Sequence, residues 1–434
     1  LGAVVMAAGL GTRMRSEVPK HLHPLLGRRM VDWVIEAARE LGADPLVVVT
    51  APTTADAFDG VSVALQAEPL GTGDAVRSAR DAFASHAGDL LVLSGDAPAV
   101  TPGLLRGLLE THRREDASAT VLSFERSEPA HYGRVIRNGD GSLEAIVEAR
   151  DATAEQLAVR EVNSSIYVFR GDRLWPILER LSPHNAQGER YLTDSIALLV
   201  EQGARVAVHK GGATMEAEGV NTRVELAAAG AALRDRINQE HMLAGVTIVD
   251  PTSTWIDAEV EIEPDAVIHP FTVLRGATRV RAGAEVGPHV AVQDAEIGAA
   301  AVVGPFCYLR PGTVLEAGAK AGTFVEIKNA RIGERTKVPH LSYLGDADIG
   351  ADTNIAASNV TVNFDHASGT KGRTTIGSNV RTGVDNAFVA PVTVGDDAWI
   401  AAGSVITEDV PANALAIARA RQVNKEGRGG KRND

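Results

Sequence analysis

One cysteine, Cys307, leaves this 434-residue chain unable to form an internal disulfide, which suits a reducing cytoplasm. No apolar run approaches the roughly 18 residues that a membrane helix needs, so no span and no membrane partner is expected. The formal charge of −13 argues against a nucleic-acid partner, whose phosphates call for clustered cations. A small phosphorylated substrate needs only a few local cations and stays open. The first residues read as a strand, a glycine turn and a basic stretch, which is not a secretory signal. With 44% hydrophobic and 23% charged residues, the chain has room for two or three ordinary globular domains.

The two halves carry different periods. Apolar runs at Ala3–Ala8, Leu46–Thr50, Leu90–Ser94 and Ala119–Phe124 alternate with helical spacing over Met30–Leu41, Gly73–Ala84 and Pro102–Arg113. This alternation predicts a Rossmann-like α/β domain over residues 1–221, with a mostly parallel sheet and its ligands at the carboxyl ends of the strands. An alanine-rich helix from Thr222 to Leu243 is expected to join the halves within a linker over 222–245.

From 246 to 434 a large aliphatic residue recurs every six positions: Ile256, Ile262, Ile268, Leu274, Val280, Val286 and Val292, resuming at Ile297 and continuing to Ile406. Only Ala321, Thr361, Thr382 and Phe388 depart from Ile, Leu or Val at this position. A small residue stands two places earlier, except at Asn359 and Asn386. This period has no helical reading. It predicts a left-handed parallel β-helix of hexapeptide repeats, with coils of about 18 residues. Cys307 falls on a small inward position, as a buried core thiol. The insertion Asn363–Arg373 interrupts the period, and the tail Lys425–Asp434 reads as disordered.

Chemistry is concentrated at a few places. Gly9 and Gly11 follow the first strand, where backbone N–H groups can approach a phosphate, and Arg13 and Lys20 lie close by. Met14 stands where a dinucleotide fingerprint needs its third glycine, and no Gly-Lys-Ser/Thr makes a P-loop. Asp96 follows a strand end and can hold Mg²⁺ against phosphate oxygens, or else simply cap the helix near Pro102. Gln66 and the turn Gly71-Thr72-Gly73 can read a base edge. In the second half, Arg310 and Lys328 each follow an inward residue and lie 18 positions apart, so they should stack with an anion between them. His340 and Tyr343 should face outward. An outward histidine is often merely solvated, but beside two cations it can take the proton from an amine attacking a thioester.

The run Ala7-Ala8-Gly9-Leu10-Gly11-Thr12-Arg13-Met14, with Pro19-Lys20, Leu70-Gly71-Thr72-Gly73, Glu161-Val162-Asn163 and Glu218-Gly219-Val220-Asn221, resembles the bifunctional UDP-N-acetylglucosamine pyrophosphorylase / glucosamine-1-phosphate N-acetyltransferase family. So do Leu309-Arg310-Pro311-Gly312, Val325-Glu326-Ile327-Lys328 and His340-Leu341-Ser342-Tyr343-Leu344-Gly345-Asp346. The resemblance implies acetyl transfer from acetyl-CoA to glucosamine 1-phosphate, then uridylyl transfer from UTP with release of pyrophosphate, supplying cell-wall and lipopolysaccharide precursor. It implies that Met6, Ala7, Ala8, Gly9, Gln66, Gly71 and Thr72 bind the nucleotide, with Arg13 and Lys20 on its phosphates. Gly133, Glu148, Asn163 and Asn221 would hold the sugar, and Asp96 with Asn221 the Mg²⁺. His340 would be the general base. Arg310, Lys328, Tyr343 and Asn354 would hold glucosamine 1-phosphate, and Ala357, Asn363, Phe364, Val384, Ala402 and Arg419 acetyl-CoA. A homotrimer sharing its acyl site between chains is also implied.

Departures from the family pattern are Ser94 for tyrosine, Ser165 for glycine, Phe364 for tyrosine, Val384 for serine and Ala356 for glycine, with extra residues around Asp365-His366. Two other readings remain open: a monofunctional nucleotidyltransferase on a non-catalytic β-helix, and a sugar-nucleotide sensor on an inactive transferase fold.

Overall fold

A computed structural model describes the chain except for Leu10, residues 212–213, Gly427 and residues 429–434. Leu10 of the glycine motif and most of the tail Lys425–Asp434 thus lie outside the described residues. The chain divides into two compact units, Leu1–Leu233 and Arg234–Asp434, and the helix Arg223–Leu243 carries the boundary. No described helix is long and apolar enough to cross a membrane.

In the first unit the strand Gly2–Ala7 pairs in parallel with Asp89–Ser94 on one side and Leu46–Thr50 on the other. Both faces of this strand are covered, which is why its sequence is continuously apolar rather than alternating. Ala3 and Val5 pack with Val31, Val34 and Ile35 of the helix Met30–Glu40 and with Leu105 and Leu108 of the helix Pro102–Arg114. Val4 faces the other way, towards Ala75, Val76, Leu174 and Ile196. The strand Glu161–Arg170 runs antiparallel to both of its neighbours, so the sheet is mixed at that point; the hairpin of Arg134–Arg137 and Leu143–Val147 hangs from it. The helix expected over Gly73–Ala84 is shorter. It ends at Ser78, where Ala79 N–H reaches back only to Val76, and a separate tight turn Arg80–Phe83 buries Phe83 against Trp175. Thr101 accepts a hydrogen bond from Leu104 N–H at 3.1 Å and so starts the helix at Pro102.

The second unit is a parallel β-helix of short strands in three sheets. Leu274, Val292, Leu309, Ile327 and Leu344 lie in register on one of them. Every inward residue of the six-residue period is buried except Ile262, which is half-buried. Each such Leu, Ile or Val is worth about 1.5–3 kcal/mol against exposure. The polar exceptions serve the backbone of their own and neighbouring coils. Thr361 accepts from Gly345 N–H at 2.7 Å and donates to its carbonyl at 2.9 Å. Asn359 donates to the Ala356 and Gly383 carbonyls at 2.6 and 3.1 Å, and Asn386 to Gly383 at 2.6 Å. Cys307 is buried, which pushes its thiol up to about 11 and leaves it unreactive. Within the insertion, Phe364–Asp365 and Thr370–Lys371 form a small antiparallel hairpin.

Candidate functional sites

A cleft of about 370 Å³ opens at the carboxyl ends of the first unit's central strands. Met6, Ala7, Ala8 and Gly9 form one wall; Gln66, Gly71 and Thr72 another; Lys20, Ser94 and Asp96 the floor. Gly71 has φ +110, and a side chain there would press on the Arg190 carbonyl at 2.5 Å, so the turn requires glycine. The Lys20 ammonium donates to Asp96 Oδ2 and, at 3.0 Å, to Asn221 Oδ1, which also accepts from Arg13 at 2.9 Å. Ser94 donates to the other Asp96 oxygen at 2.6 Å. Burial opposes charge on Asp96, but the neighbouring ammonium and the hydrogen bonds from Lys20 and Ser94 outweigh it, holding the carboxyl below the usual carboxylate range.

Gly133, Glu148 and Asn163 gather beside this cleft rather than in its lining. Asn163 N–H donates to the Gly133 carbonyl at 2.9 Å, and Glu148 accepts from Thr193 at 3.2 Å. Burial pushes the Glu148 carboxyl up. The Asn163 side chain is already engaged, donating to the Tyr167 hydroxyl at 2.6 Å and accepting from Ser165 N–H at 3.1 Å. Ser165 lines the cleft with φ +62, a left-handed conformation that a glycine would hold without strain.

Three residues of this site escaped the sequence reading. His21 lines the cleft at 4% exposure, stacked on Phe58, with Nε2 unpartnered. Burial first, then the Lys20 and Arg29 cations, lower its pKa to about 4. Its position next to Lys20 was the available signal. Glu189 lines the cleft and Asp74 accepts from Gln66 at 3.1 Å, and no local sequence pattern marks either.

On the β-helix, one corner carries a column of residues from successive coils. Ser358 N–H donates to the His340 carbonyl, Asp385 N–H to that of Ala357, and Gly403 N–H to that of Val384. His340, Ala357, Val384 and Ala402 therefore occupy equivalent corner positions, and the Arg419 side chain lies against Gly403. His340 is exposed, and Val384 is 44% exposed.

On the face that follows this corner, Leu309 and Ile327 pair, so Arg310 and Lys328 stack as the period predicts. Instead of facing each other uncompensated, Arg310 pairs with Glu326 at 2.8 Å. A third cation, Lys371, arrives from the inserted hairpin. Lys371 first and Arg310 second lower the Lys328 pKa, with Asp346 opposing. Lys371 could not be placed from sequence because the hairpin breaks the period.

Tyr343 and Asn363 meet over Gly345, where a side chain would collide with both, and Asn363 donates to Asp346. The half-exposed Phe364 ring packs edge-on against His366. Asn354 lies on the face before the corner, bridged through its backbone to Lys337 and Arg381, so one chain does not bring it to the sheet of Lys328 and Tyr343.

Below His340 on the same corner, Phe271, His289, Phe306 and Phe324 stack at 4.7, 4.9 and 5.3 Å, and exposed Leu341 follows Phe324 on the next coil. Among the described residues no three His, Cys, Asp or Glu side chains gather as a metal cluster.

Comparison with known proteins agrees with both halves. Residues 3–198 match the MobA-like NTP transferase domain. The bifunctional protein GlmU of Streptomyces avermitilis is 48% identical over 98% of this chain and 93% of its own length. The proteins of the same name from Caldanaerobacter subterraneus and Mycolicibacterium gilvum are 44% and 48% identical, again over 98% of this chain and over 97% and 90% of their own. The chain belongs to the GlmU family of bifunctional enzymes, which join acetyl transfer to uridylyl transfer.

Proposed function

We propose that the two sites described above carry the two reactions, with the residues in the following roles. On the β-helix, His340 takes the proton from the 2-amino group of glucosamine 1-phosphate as it attacks the acetyl-CoA thioester. Arg310, Lys328 and Lys371 hold the sugar's phosphate, with Tyr343 beside them. Acetyl-CoA lies along the corner column of Ala357, Val384, Ala402 and Arg419, next to Asn363 and Phe364. Asn354, on the face before the corner, completes the sugar site from a neighbouring chain.

In the first unit, N-acetylglucosamine 1-phosphate attacks the UTP α-phosphate in line, and pyrophosphate leaves towards Arg13 and Lys20. No protein nucleophile is needed. Met6, Ala7, Ala8, Gly9, Gln66, Gly71 and Thr72 hold the nucleotide, and Gly133, Glu148, Asn163 and Asn221 the sugar. Asp96 and Asn221 offer a carboxylate and an amide oxygen, hard donors of the kind Mg²⁺ takes, and both lie within reach of a single cation, the Lys20 ammonium. With substrate phosphates supplying the remaining oxygens, these two residues would hold Mg²⁺. The ion would neutralise charge on those phosphates.

The exposed ladder of Phe271, His289, Phe306 and Phe324 supports a homotrimer, since such a stripe calls for a partner surface. The cytoplasm is the compartment proposed.

The observation that carries this reading is the alignment of His340 with the corner column, on the corner that leads into the face where Arg310, Lys328 and Lys371 gather. An inert β-helix has no use for it, which disfavours the monofunctional alternative. The test is incubation with glucosamine 1-phosphate, acetyl-CoA, UTP and Mg²⁺, omitting one at a time. Free thiol should require the sugar phosphate and acetyl-CoA only, and pyrophosphate should require all four. Thiol release without sugar phosphate, or none at all, overturns it.

A further inference from the structure

The Gln66 side chain is 6% exposed and lines the cleft wall that also carries Gly71 and Thr72. Its amide nitrogen donates to the Gly71 carbonyl at 3.0 Å and to Asp74 Oδ2 at 3.1 Å. A primary amide has two N–H groups, and both are thereby used. The orientation is forced by chemistry: turned over, the amide would set its oxygen against a carbonyl and a carboxylate, both acceptors only. Asp74 is itself held in place. It is 6% exposed on the helix Thr72–Ser78, its other oxygen accepts from Arg77 at 2.7 Å, and Arg190 stands 3.7 Å away. Gln66 Oε1 is left as the amide atom available to a ligand, and it is an acceptor that cannot become a donor while Asp74 stays in place.

We propose that Asp74 is a positioning residue for base selectivity, fixing Gln66 Oε1 as an acceptor for the ring N3–H of a uracil or thymine base. Cytosine presents a lone pair at N3, which would face the same oxygen without a proton between them. A buried polar group left unpaired in this way is what gives a site strong discrimination. The proposal rests on the cleft being the nucleotide site.

Asp74→Asn tests it. Asparagine must keep its oxygen towards Arg77, which turns its NH₂ group towards Gln66 and disfavours the present amide orientation. The ratio of kcat/KM for UTP over CTP should then fall by about tenfold or more, through weaker use of UTP together with better use of CTP. Calorimetric binding of UTP and CTP should show the same convergence, and acetyl transfer should be unchanged. Equal losses on both nucleotides, with the ratio preserved in a folded protein, would overturn the role, because a merely structural residue behaves in that way. Should Asp74→Asn not fold, Gln66→Leu reads the same geometry: a retained preference for UTP overturns the proposal. Absence of pyrophosphate release from UTP by the unaltered protein would instead refute the nucleotide site itself.

Discussion

Lys20 donates through its ammonium to Asn221 at 3.0 Å although 201 positions separate them, and the same ammonium pairs with Asp96. Three segments of the first unit thus converge on one point. Asp96→Ala should abolish Mg²⁺-dependent uridylyl transfer and leave acetyl transfer at its wild-type rate, because His340 belongs to the other unit. Separate assays of pyrophosphate and free thiol on the purified variant check this. Loss of both activities in a folded protein would count against Asp96 as metal ligand.

His21 sets an acid limit on the first unit. Its folded-state pKa of about 4 lies below the unfolded value of 6.5, so the unfolded chain binds its proton first. The contribution of His21 to stability is therefore full above pH 6.5 and is lost as pH falls towards 4, by about 3 kcal/mol across the window. His21→Gln should flatten the decline. Thermal unfolding of both proteins between pH 4 and 7.5 measures it, and parallel curves would show that His21 does not contribute.

Ser165 holds φ +62. Replacing it by glycine relieves a strain of about 1 kcal/mol, partly offset by the greater freedom of glycine in the unfolded chain. Ser165→Gly should leave stability equal or raise it slightly. A clear drop in denaturant midpoint would mean that the hydroxyl itself is needed.

At the proposed acetyl-CoA site, Val384 on the corner and Phe364 on the inserted hairpin each lack a hydroxyl that the family pattern implies, and a lost hydrogen bond of this kind typically costs about 1–3 kcal/mol. Val384→Ser with Phe364→Tyr should lower KM for acetyl-CoA while KM for glucosamine 1-phosphate hardly moves. Steady-state kinetics with each substrate varied in turn separates the two effects.

For His340→Ala, kcat for acetyl transfer should fall by about 10²–10⁴ at neutral pH, with part recovered at higher pH as the substrate amine deprotonates unaided. Arg310→Ala and Lys328→Ala should instead raise KM for glucosamine 1-phosphate. Rates across pH 6 to 9 distinguish these outcomes, and a wild-type rate in His340→Ala would end the general-base assignment.

The sequence by itself determined the two architectures and the strand ends that line the cleft. A six-residue period of aliphatic side chains can bury itself only in a β-helix, so the period alone turns the residues from Ile256 to Ile406 inward, and the stacking of Arg310 on Lys328 follows from their spacing of one coil. Continuous apolar runs ending at Ala8 and Ser94, just before Gly9 and Asp96, fixed the strand ends that form the cleft. What the tertiary structure decided were contacts that obey no local period. Lys371 reaches Lys328 only because an insertion folds into a hairpin. Asn354 stands on a different face from Tyr343 because a corner intervenes. Asp74 orients Gln66 because a glycine turn brings a helix back against a strand end. Periodicity reports which side of an element is buried, whereas the partner of a polar side chain depends on where distant segments cross. That crossing is set by the packing of the whole unit.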